Sequence, residues 1–371
     1  MDFAAEGLLD GLEDEAARAD RIALLEELLA EGVAPEELKR AVEEDRLVLL
    51  RVERVLGAEA YTPREVAAMV GIDVETALRH RQALGLPRPG IDERALGESD
   101  VEALTRLKAF QDAGLPEEGL LDVTRVLGEG LSRVAATLRP MVRDAFLRPA
   151  IGEHELSTRY AAISEQLGPQ LGATMQHILD MHLRDQLRND AIGRTELASG
   201  RMTGATEVTV AFADLVGFTK LGEQVPAEEL GAIAGRLGEL ATEVTRPPVR
   251  LVKTIGDAAM LVSPEAGALV DAALELVEAA ERESDEFPRL RAGLATGPAL
   301  GRAGDWYGSP VNLASRITNV ARPGSVVVAD ATREAADGAP IRWSPLPARR
   351  LKGVDGVVPL FRARPAEKVS E

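Results

Sequence analysis

A short polar turn between two apolar runs is the feature that most limits how this chain can fold. The turn is Lys253-Thr-Ile-Gly-Asp257, and the apolar runs cover residues 249–252 and 258–262. A run, a turn and a second run predict a β-hairpin that carries a lysine and a carboxylate at its tip. This part of the chain is therefore predicted to contain a sheet that presents both charged side chains at one end.

A second carboxylate, Asp214, lies at the end of another strand-like run, Val208-Thr-Val-Ala-Phe-Ala-Asp214, and Gly217 follows it closely. Two aspartates at strand ends, each followed by small or turn residues, are what a two-metal site for phosphoryl transfer needs. Mg²⁺ prefers hard oxygen ligands, and glycines let a polyphosphate approach the backbone. Asp214 and Asp257 are therefore candidate metal ligands.

Composition excludes several other classes of protein. The 371 residues suggest two domains, and a chain without cysteine has no disulfide scaffold and no thiolate site. The net charge of −18 disfavours nonspecific binding to nucleic acid or to an anionic membrane. No run of about 18 apolar residues predicts a transmembrane helix, and the start does not resemble a secretory signal. We therefore expect a cytoplasmic protein.

The chain divides by pattern into an acidic first half and a nearly balanced second half. Residues 1–205 hold 38 acids and 24 bases, whereas residues 206–371 hold 23 acids and 19 bases. Helical periodicity predicts an all-α domain over residues 1–188, and glycines with few apolar neighbours predict a linker over 189–205. Strand-like and helix-like runs then alternate over residues 206–364, which requires one sheet covered by helices. Residues 365–371 form a tail.

A segment of the helical half, residues 61–88, resembles the helix-turn-helix of mercury-resistance-type regulators. Its second helix would carry Arg79, His80 and Arg81, which makes DNA binding a hypothesis for this segment. Residues 61–120 hold 11 acids against 7 bases, a poor charge balance for binding phosphates. A helical scaffold with no DNA-binding role is the alternative that we favour.

Further motifs follow the two aspartates in order. Residues 206–364 resemble the catalytic domain of class III adenylate cyclases, and the arrangement of the whole chain resembles soluble mycobacterial cyclases with an N-terminal helical regulatory domain. The matching stretches are Phe212-Ala-Asp214-Leu-Val-Gly-Phe-Thr, Lys253-Thr-Ile-Gly-Asp257, Asp305-Trp-Tyr-Gly308, Val311-Asn312-Leu-Ala-Ser-Arg316 and Leu351-Lys352-Gly353.

The resemblance implies a fold and a set of roles. The fold would be α+β, with a ferredoxin-like βαββαβ core behind the all-α domain. Two Mg²⁺ or Mn²⁺ ions per active site would be held by Asp214 and Asp257, with the backbone carbonyl of Leu215 as a further ligand. Lys253 and Asp305 would recognise adenine, and Asn312 would orient the ribose. Arg316 would neutralise charge on the α-phosphate, and Lys352 would contact the triphosphate.

The resemblance also implies a homodimer that converts ATP to 3′,5′-cyclic AMP and pyrophosphate. The two aspartates of one protomer would face the remaining site residues of the other. A lysine–aspartate pair suits adenine, because N1 accepts a hydrogen bond and the N6 amino group donates one. The alternatives are a guanylate cyclase and a non-enzymatic DNA-binding regulator with a nucleotide-binding dimerisation domain.

All four histidines lie in the helical half, and two of them, His177 and His182, flank an apolar stripe just before the predicted linker. Histidine is the usual group that titrates near neutral pH. We therefore hypothesise that the helical half holds the catalytic domains in an inactive arrangement and that acidification releases them through these two residues.

Overall fold

The computed structural model describes residues 1–57, 59–146, 152–192, 205–284 and 286–366. The chain separates into two compact units with their boundary between Leu183 and Arg184. Most of the predicted linker (193–204) and of the predicted tail (367–371) lies outside the described residues. No helix among the described residues is both long enough and apolar enough to cross a lipid bilayer.

The first unit is built from helices. Their bounds are α1 Glu15–Ala30, α2 Pro35–Glu43, a 3₁₀ turn Leu47–Leu49, α3 Leu50–Leu56, α4 Pro63–Val70, α5 Val74–Ala83, α6 Glu98–Asp112, α7 Glu117–Phe146 and α8 Glu153–Ile192.

Local capping explains where the helices of the helix-turn-helix-like segment begin and end. Thr62 and Glu65 form a reciprocal capping box at the start of α4, and Gly71 ends that helix with a φ of 76°. The carboxylate of Asp73 accepts the backbone N–H of Thr76 at 2.9 Å and caps α5. The expected pair of short helices is therefore present.

The start of α8 is fixed to α1 by polar contacts. The guanidinium of Arg21 donates two hydrogen bonds to the carboxylate of Glu153, one of them at 2.7 Å. The backbone N–H of His154 donates to Asp20 Oδ2 at 2.9 Å, so an aspartate of α1 caps the first turn of α8.

The second unit alternates strands and helices. Its elements are β1 Thr206–Leu215, α9 Phe218–Leu221, α10 Ala227–Glu243, β2 Arg250–Ile255, β3 Ala258–Ser263, α11 Ala266–Glu281, β4 Leu290–Arg302, β5 Asp305–Gly308, α12 Ser309–Val320, β6 Ser325–Ala329, α13 Asp330–Ala335, β7 Ile341–Arg349 and β8 Val358–Pro365.

All eight strands join one sheet in the order β2-β3-β1-β4-β6-β8-β7, with β5 paired to β4. Pairing is antiparallel except between β4 and β6. The first four core strands, with α10 and α11 in the two crossovers, form the βαββαβ unit in ferredoxin-like order. The α+β fold with an all-α region before it is therefore confirmed.

The sheet has an apolar core on each face. Leucines and alanines of α10 and α11 pack on one face, whereas α12 packs on the other through Ala314 and Ile317. Helices thus cover both faces of the central strands.

The structure extends several sequence-based elements. Helices α7 and α8 are longer than the periodic runs that predicted them, and they continue through Pro140 and Pro169. The sequence pattern also gave no indication of β5, β7 or β8. These strands widen the predicted sheet without changing its core topology.

Candidate active site

The two candidate metal ligands lie at one end of neighbouring strands. Asp214 is the penultimate residue of β1 and is paired with Ala258 of β3. Asp257 occupies the two-residue turn between β2 and β3, where Gly256 adopts a φ of 58°. The backbone N–H of Leu215 donates to the carbonyl of Asp257 at 3.0 Å, which fixes the hairpin turn against the end of β1.

Arg291 of β4 is the nearest cation to these aspartates in the described contacts, and sequence reasoning did not identify it. It lies directly opposite Asp214 in the β1–β4 register. Its Nη2 and Nε donate to Asp214 Oδ2 at 2.6 and 2.9 Å, and its Nη1 donates to the carbonyl of Asn319 at 3.2 Å. An isolated arginine in a strand gives no sequence signal for such a contact.

The electrostatics of the aspartate pair fit a cation site. Burial raises the pKa of Asp257, the negative charge of Asp214 raises it further, and Arg291 acts in the opposite direction. A bound cation would remove this repulsion. Within the described residues no cluster of three or more His, Asp or Glu side chains could hold a metal. Two carboxylates suit Mg²⁺ or Mn²⁺, because Mg²⁺ commonly completes its shell with water and substrate phosphates.

The predicted adenine-recognition pair is formed within one chain. Lys253 of β2 and Asp305 at the start of β5 make a close ion pair. Asp305 Oδ1 also accepts the backbone N–H of Trp306 at 2.9 Å, which fixes the carboxylate. A β-bulge between Leu251 and Lys253 makes Val252 an extra residue opposite β3.

The bulge determines which face of the sheet Lys253 occupies. Leu251 and its partner Leu261 pack in the α10–α11 core, whereas Val252 and Met260 pack in the α12 core. Regular alternation would then return the next residue to the α10–α11 face. Because of the bulge, Lys253 pairs with Met260 and shares the face on which Asp305 and Trp306 lie.

The three remaining site residues lie on the surface. Asn312 and Arg316 occupy one side of α12, one turn apart, and both are exposed. Lys352 is exposed in the connection between β7 and β8. None of the three side chains makes a hydrogen bond or ion pair with another described residue.

The structure thus brings the site residues together in two groups and leaves three apart. Asp214, Asp257 and Arg291 form one group, and Lys253 with Asp305 forms the other. No hydrogen bond or ion pair among the described residues connects the two groups.

The two histidines of the regulatory hypothesis lie on α8 with exposed side chains. Neither side chain makes a hydrogen bond or ion pair with a described residue, and the nearby carboxylate of Asp180 accepts a hydrogen bond from Gln176 at 2.9 Å. By contrast, Nε2 of His154 lies 2.9 Å from Glu27 Oε2. Sequence reasoning did not select His154, because its partner lies far away in the chain.

The arginines of the helix-turn-helix-like segment are occupied by local contacts. Arg79 donates to Glu117 at 2.7 Å and to Glu118 at 2.9 Å. Arg81 donates to the carbonyl of Pro87 at 3.1 Å. A recognition helix needs its basic side chains for phosphates and base edges, so these contacts favour the scaffold interpretation.

Comparison with known proteins agrees with both halves of this architecture. A model of the adenylate cyclase regulatory domain matches residues 1–187, and one of the adenylate and guanylate cyclase catalytic domain matches residues 201–358. The chain belongs to the class III nucleotide cyclases and, within them, to the adenylate cyclases that carry this regulatory domain. Catalytic domains of this class use divalent metal ions.

Individual relatives are similar over most of their length. A pH-sensitive adenylate cyclase of Mycobacterium tuberculosis is 44% identical over 356 residues, which cover 94% of this chain and 89% of the relative. An adenylate cyclase of Streptomyces coelicolor is 34% identical over 294 residues, covering 78% of this chain and 76% of the relative. The predicted adenylate cyclase activity is thereby confirmed.

Proposed function

We propose that this adenylate cyclase forms cyclic AMP in a composite site between two copies of the chain. Asp214, Asp257 and the carbonyl of Leu215 come from one protomer. Lys253, Asp305, Asn312, Arg316 and Lys352 come from the other. A two-fold homodimer then contains two equivalent sites.

The carboxylates of Asp214 and Asp257 would hold two Mg²⁺ or Mn²⁺ ions per site. When bound, such ions supply Lewis-acid stabilisation of phosphate oxygens and lower the pKa of the ribose 3′-hydroxyl. The chain contributes the hard oxygen donors and the rigid strand ends that position them.

Lys253 and Asp305 would read the adenine edge. The ammonium of Lys253 donates to N1, and the carboxylate of Asp305 accepts from the N6 amino group. Guanine has a donor at N1 and an acceptor at O6. The N1 donor would face the Lys253 ammonium, which also donates, and the O6 acceptor would face the Asp305 carboxylate, which also accepts. This argument explains a preference for ATP over GTP.

Asn312, Arg316 and Lys352 would act on the sugar and the phosphates. The 3′-oxygen bonds to the α-phosphorus as the bond to the bridging oxygen of pyrophosphate breaks, so negative charge accumulates on α-phosphate oxygens. The guanidinium of Arg316 neutralises that charge. Asn312 orients the ribose so that the 3′-oxygen lies close to phosphorus. Lys352 pairs with the triphosphate.

The observation that carries the shared-site proposal is that the side chains of Asn312, Arg316 and Lys352 are exposed and have no polar partner among the described residues, whereas Asp214 and Asp257 lie together at one end of the sheet. Arg316 and Lys352 suit phosphate oxygens, the amide of Asn312 suits a ribose hydroxyl, and the two aspartates suit cations. A second copy supplies each set with its counterpart across an interface.

Mixing two inactive variants tests the shared site. Asp214→Ala and Arg316→Ala chains should each be inactive, and mixed dimers should regain activity because they contain one intact site. Asp214→Ala mixed with Asp257→Ala is the matched control, because both changes fall in the same half-site. Equal activity in the two mixtures, with heterodimers present, would contradict the proposal.

We propose the following organisation for regulation: a helical regulatory domain over residues 1–188, a linker over 189–205, the catalytic domain over 206–364 and a tail over 365–371. The similarity to a pH-sensitive cyclase supports control of activity by pH. We propose that the first domain inhibits the catalytic domain and that acid pH releases it. His177 and His182 are the proposed titrating residues.

The pH–activity profile of the full chain tests this regulation. His177→Gln/His182→Gln should flatten the acid-side rise in activity relative to the wild type. An unchanged rise in the double variant would exclude both histidines. The cytoplasmic location and the absence of nucleic-acid and membrane partners stay predictions.

A further inference from the structure

We infer that Arg291 is a built-in counter-ion of Asp214 that a divalent cation has to displace, so that Arg291 weakens metal binding while no nucleotide is present. The inference rests on the proposed metal-binding role of Asp214. It concerns how the chain controls access to that site.

Geometry places Arg291 in competition with a metal for the same oxygen. Two of its nitrogens, Nη2 at 2.6 Å and Nε at 2.9 Å, donate to the single atom Asp214 Oδ2. The two side chains are only 23% and 20% exposed, so water screens the pair incompletely. An ion bound to Oδ2 would have to share it with a guanidinium or replace it.

Strand register and a hydrogen bond to a backbone carbonyl favour the ion pair between Arg291 and Asp214. Arg291 and Asp214 lie opposite each other in adjacent strands, which brings their side chains close without loop movement. The remaining nitrogen, Nη1, donates to the carbonyl of Asn319 near the end of α12. The guanidinium is therefore held from two sides and is present at the carboxylate when no metal is bound.

Charge provides the reason for a counter-ion at this position. Asp214 and Asp257 lie together because the Leu215 N–H donates to the carbonyl of Asp257 at 3.0 Å, so their negative charges repel each other and the bound guanidinium of Arg291 offsets that repulsion. Such an internal cation balances the charge of the two carboxylates and lowers their apparent affinity for metal. If the competing pair is populated about 90% of the time, the apparent affinity falls about tenfold.

Direct Mn²⁺ binding to the full chain, measured by electron paramagnetic resonance without nucleotide, tests the inference. Arg291→Gln should lower the Kd for Mn²⁺ by about tenfold. Arg289→Gln is the matched control, because it removes the same charge two residues earlier from a pair with Glu281 at 3.1 Å. The control should bind Mn²⁺ as the wild type does.

Two further variants separate the possible outcomes. Arg291→Lys keeps the charge but not the two-nitrogen contact, so its Kd should fall between those of the wild type and Arg291→Gln; it also serves if Arg291→Gln does not fold. Mn²⁺ binding by Arg291 variants that is equal to or weaker than wild type would overturn the counter-ion role. Unchanged binding by Asp214→Ala would instead overturn the metal assignment itself.

Discussion

Gly293 of β4 lies directly against Thr318 of α12: a Cβ atom built on Gly293 would be 2.2 Å from the backbone nitrogen of Thr318. The same Cβ would lie 2.7 Å from the carbonyl oxygen of Ala314. The hydroxyl of Thr318 donates to the carbonyl of Phe212 in β1 at 3.2 Å. Helix α12, with Asn312 and Arg316, is thus seated at a distance from the sheet that only glycine permits.

We expect Gly293→Ala to displace α12, because the clash is with backbone and not with a flexible side chain. Overpacking of this kind costs about 1–3 kcal/mol of the free energy of unfolding. Cyclase activity should fall further than stability, since Arg316 moves with the helix. Gly235→Ala in α10, where an added Cβ meets nothing within 4 Å, is the control. A Gly293→Ala protein with wild-type activity would contradict this account.

Replacing Asp257 and replacing Asp214 should change the thermal stability of the protein in opposite directions, although both replacements should abolish turnover. A raised pKa means that ionised Asp257 destabilises the folded state at neutral pH, so Asp257→Asn should raise Tm by about 1–3 °C. Asp214→Ala should lower Tm, because it leaves Arg291 without its carboxylate.

Thermal unfolding and cyclic AMP assays on the same samples check both points. Each variant should lose activity by about 10³-fold or more, the scale seen when a main source of transition-state stabilisation is removed. A metal-ligand role for either aspartate is wrong if its variant keeps near-wild-type turnover.

Base selection should depend on the ion pair between Lys253 and Asp305. Lys253→Glu with Asp305→Cys reverses the hydrogen-bonding character of this pair, so the ratio of kcat/KM for ATP over GTP should decrease. One bidentate base contact corresponds to about 1–3 kcal/mol of discrimination. Competition assays with both nucleotides measure the ratio. An unchanged ratio in a folded, active protein would mean that other groups read the base.

Acidification should weaken the helical unit through His80. Burial lowers the pKa of His80 below its ordinary value of 6.5, while Asp100 acts in the opposite direction. The unfolded chain therefore takes up a proton near pH 6.5 that the folded unit resists. Stability is complete above that pH and declines as the pH falls below it.

Thermal unfolding followed by helical circular dichroism at several pH values tests this expectation. His80→Gln should reduce the loss of Tm between about pH 7 and pH 5, on a scale of about 2–4 °C per kcal/mol. His182→Gln, which changes an exposed histidine on α8, should leave the slope unaltered. Equal slopes for wild type and His80→Gln would rule out this contribution.

The core of the sheet could be predicted from the sequence because each central strand is an apolar run. Strand β6, Ser325–Ala329, is such a run, and all five of its residues are buried. Strand β7 could not be predicted in this way, because it contains Pro345 and Pro347, and prolines argue against a strand in a sequence. Strand β7 lies at the edge of the sheet, where a strand tolerates prolines because its outer side donates no backbone hydrogen bond to a neighbouring strand.

Sequence motifs identified the candidate site residues but not the contacts that hold them. Lys253 and Asp305 were both predicted as site residues. Their ion pair depends on the β-bulge at Val252, which no local sequence pattern indicates. Arg291 was missed because its importance depends on the β1–β4 register, which places it opposite Asp214. Roles that depend on residue type could therefore be predicted from the sequence, whereas contacts that depend on which strands pair, and in which register, could be seen only in the structure.

The bulge at Val252 also bears on how two catalytic units can associate. Strand β2 forms one edge of the sheet, so its outer N–H and C=O groups could in principle recruit a strand from another molecule. A bulge interrupts the regular spacing of those groups and increases the local twist, which opposes edge-to-edge strand addition. In the proposed homodimer, we therefore expect contact at the β2 edge through side chains and not through a continuous sheet.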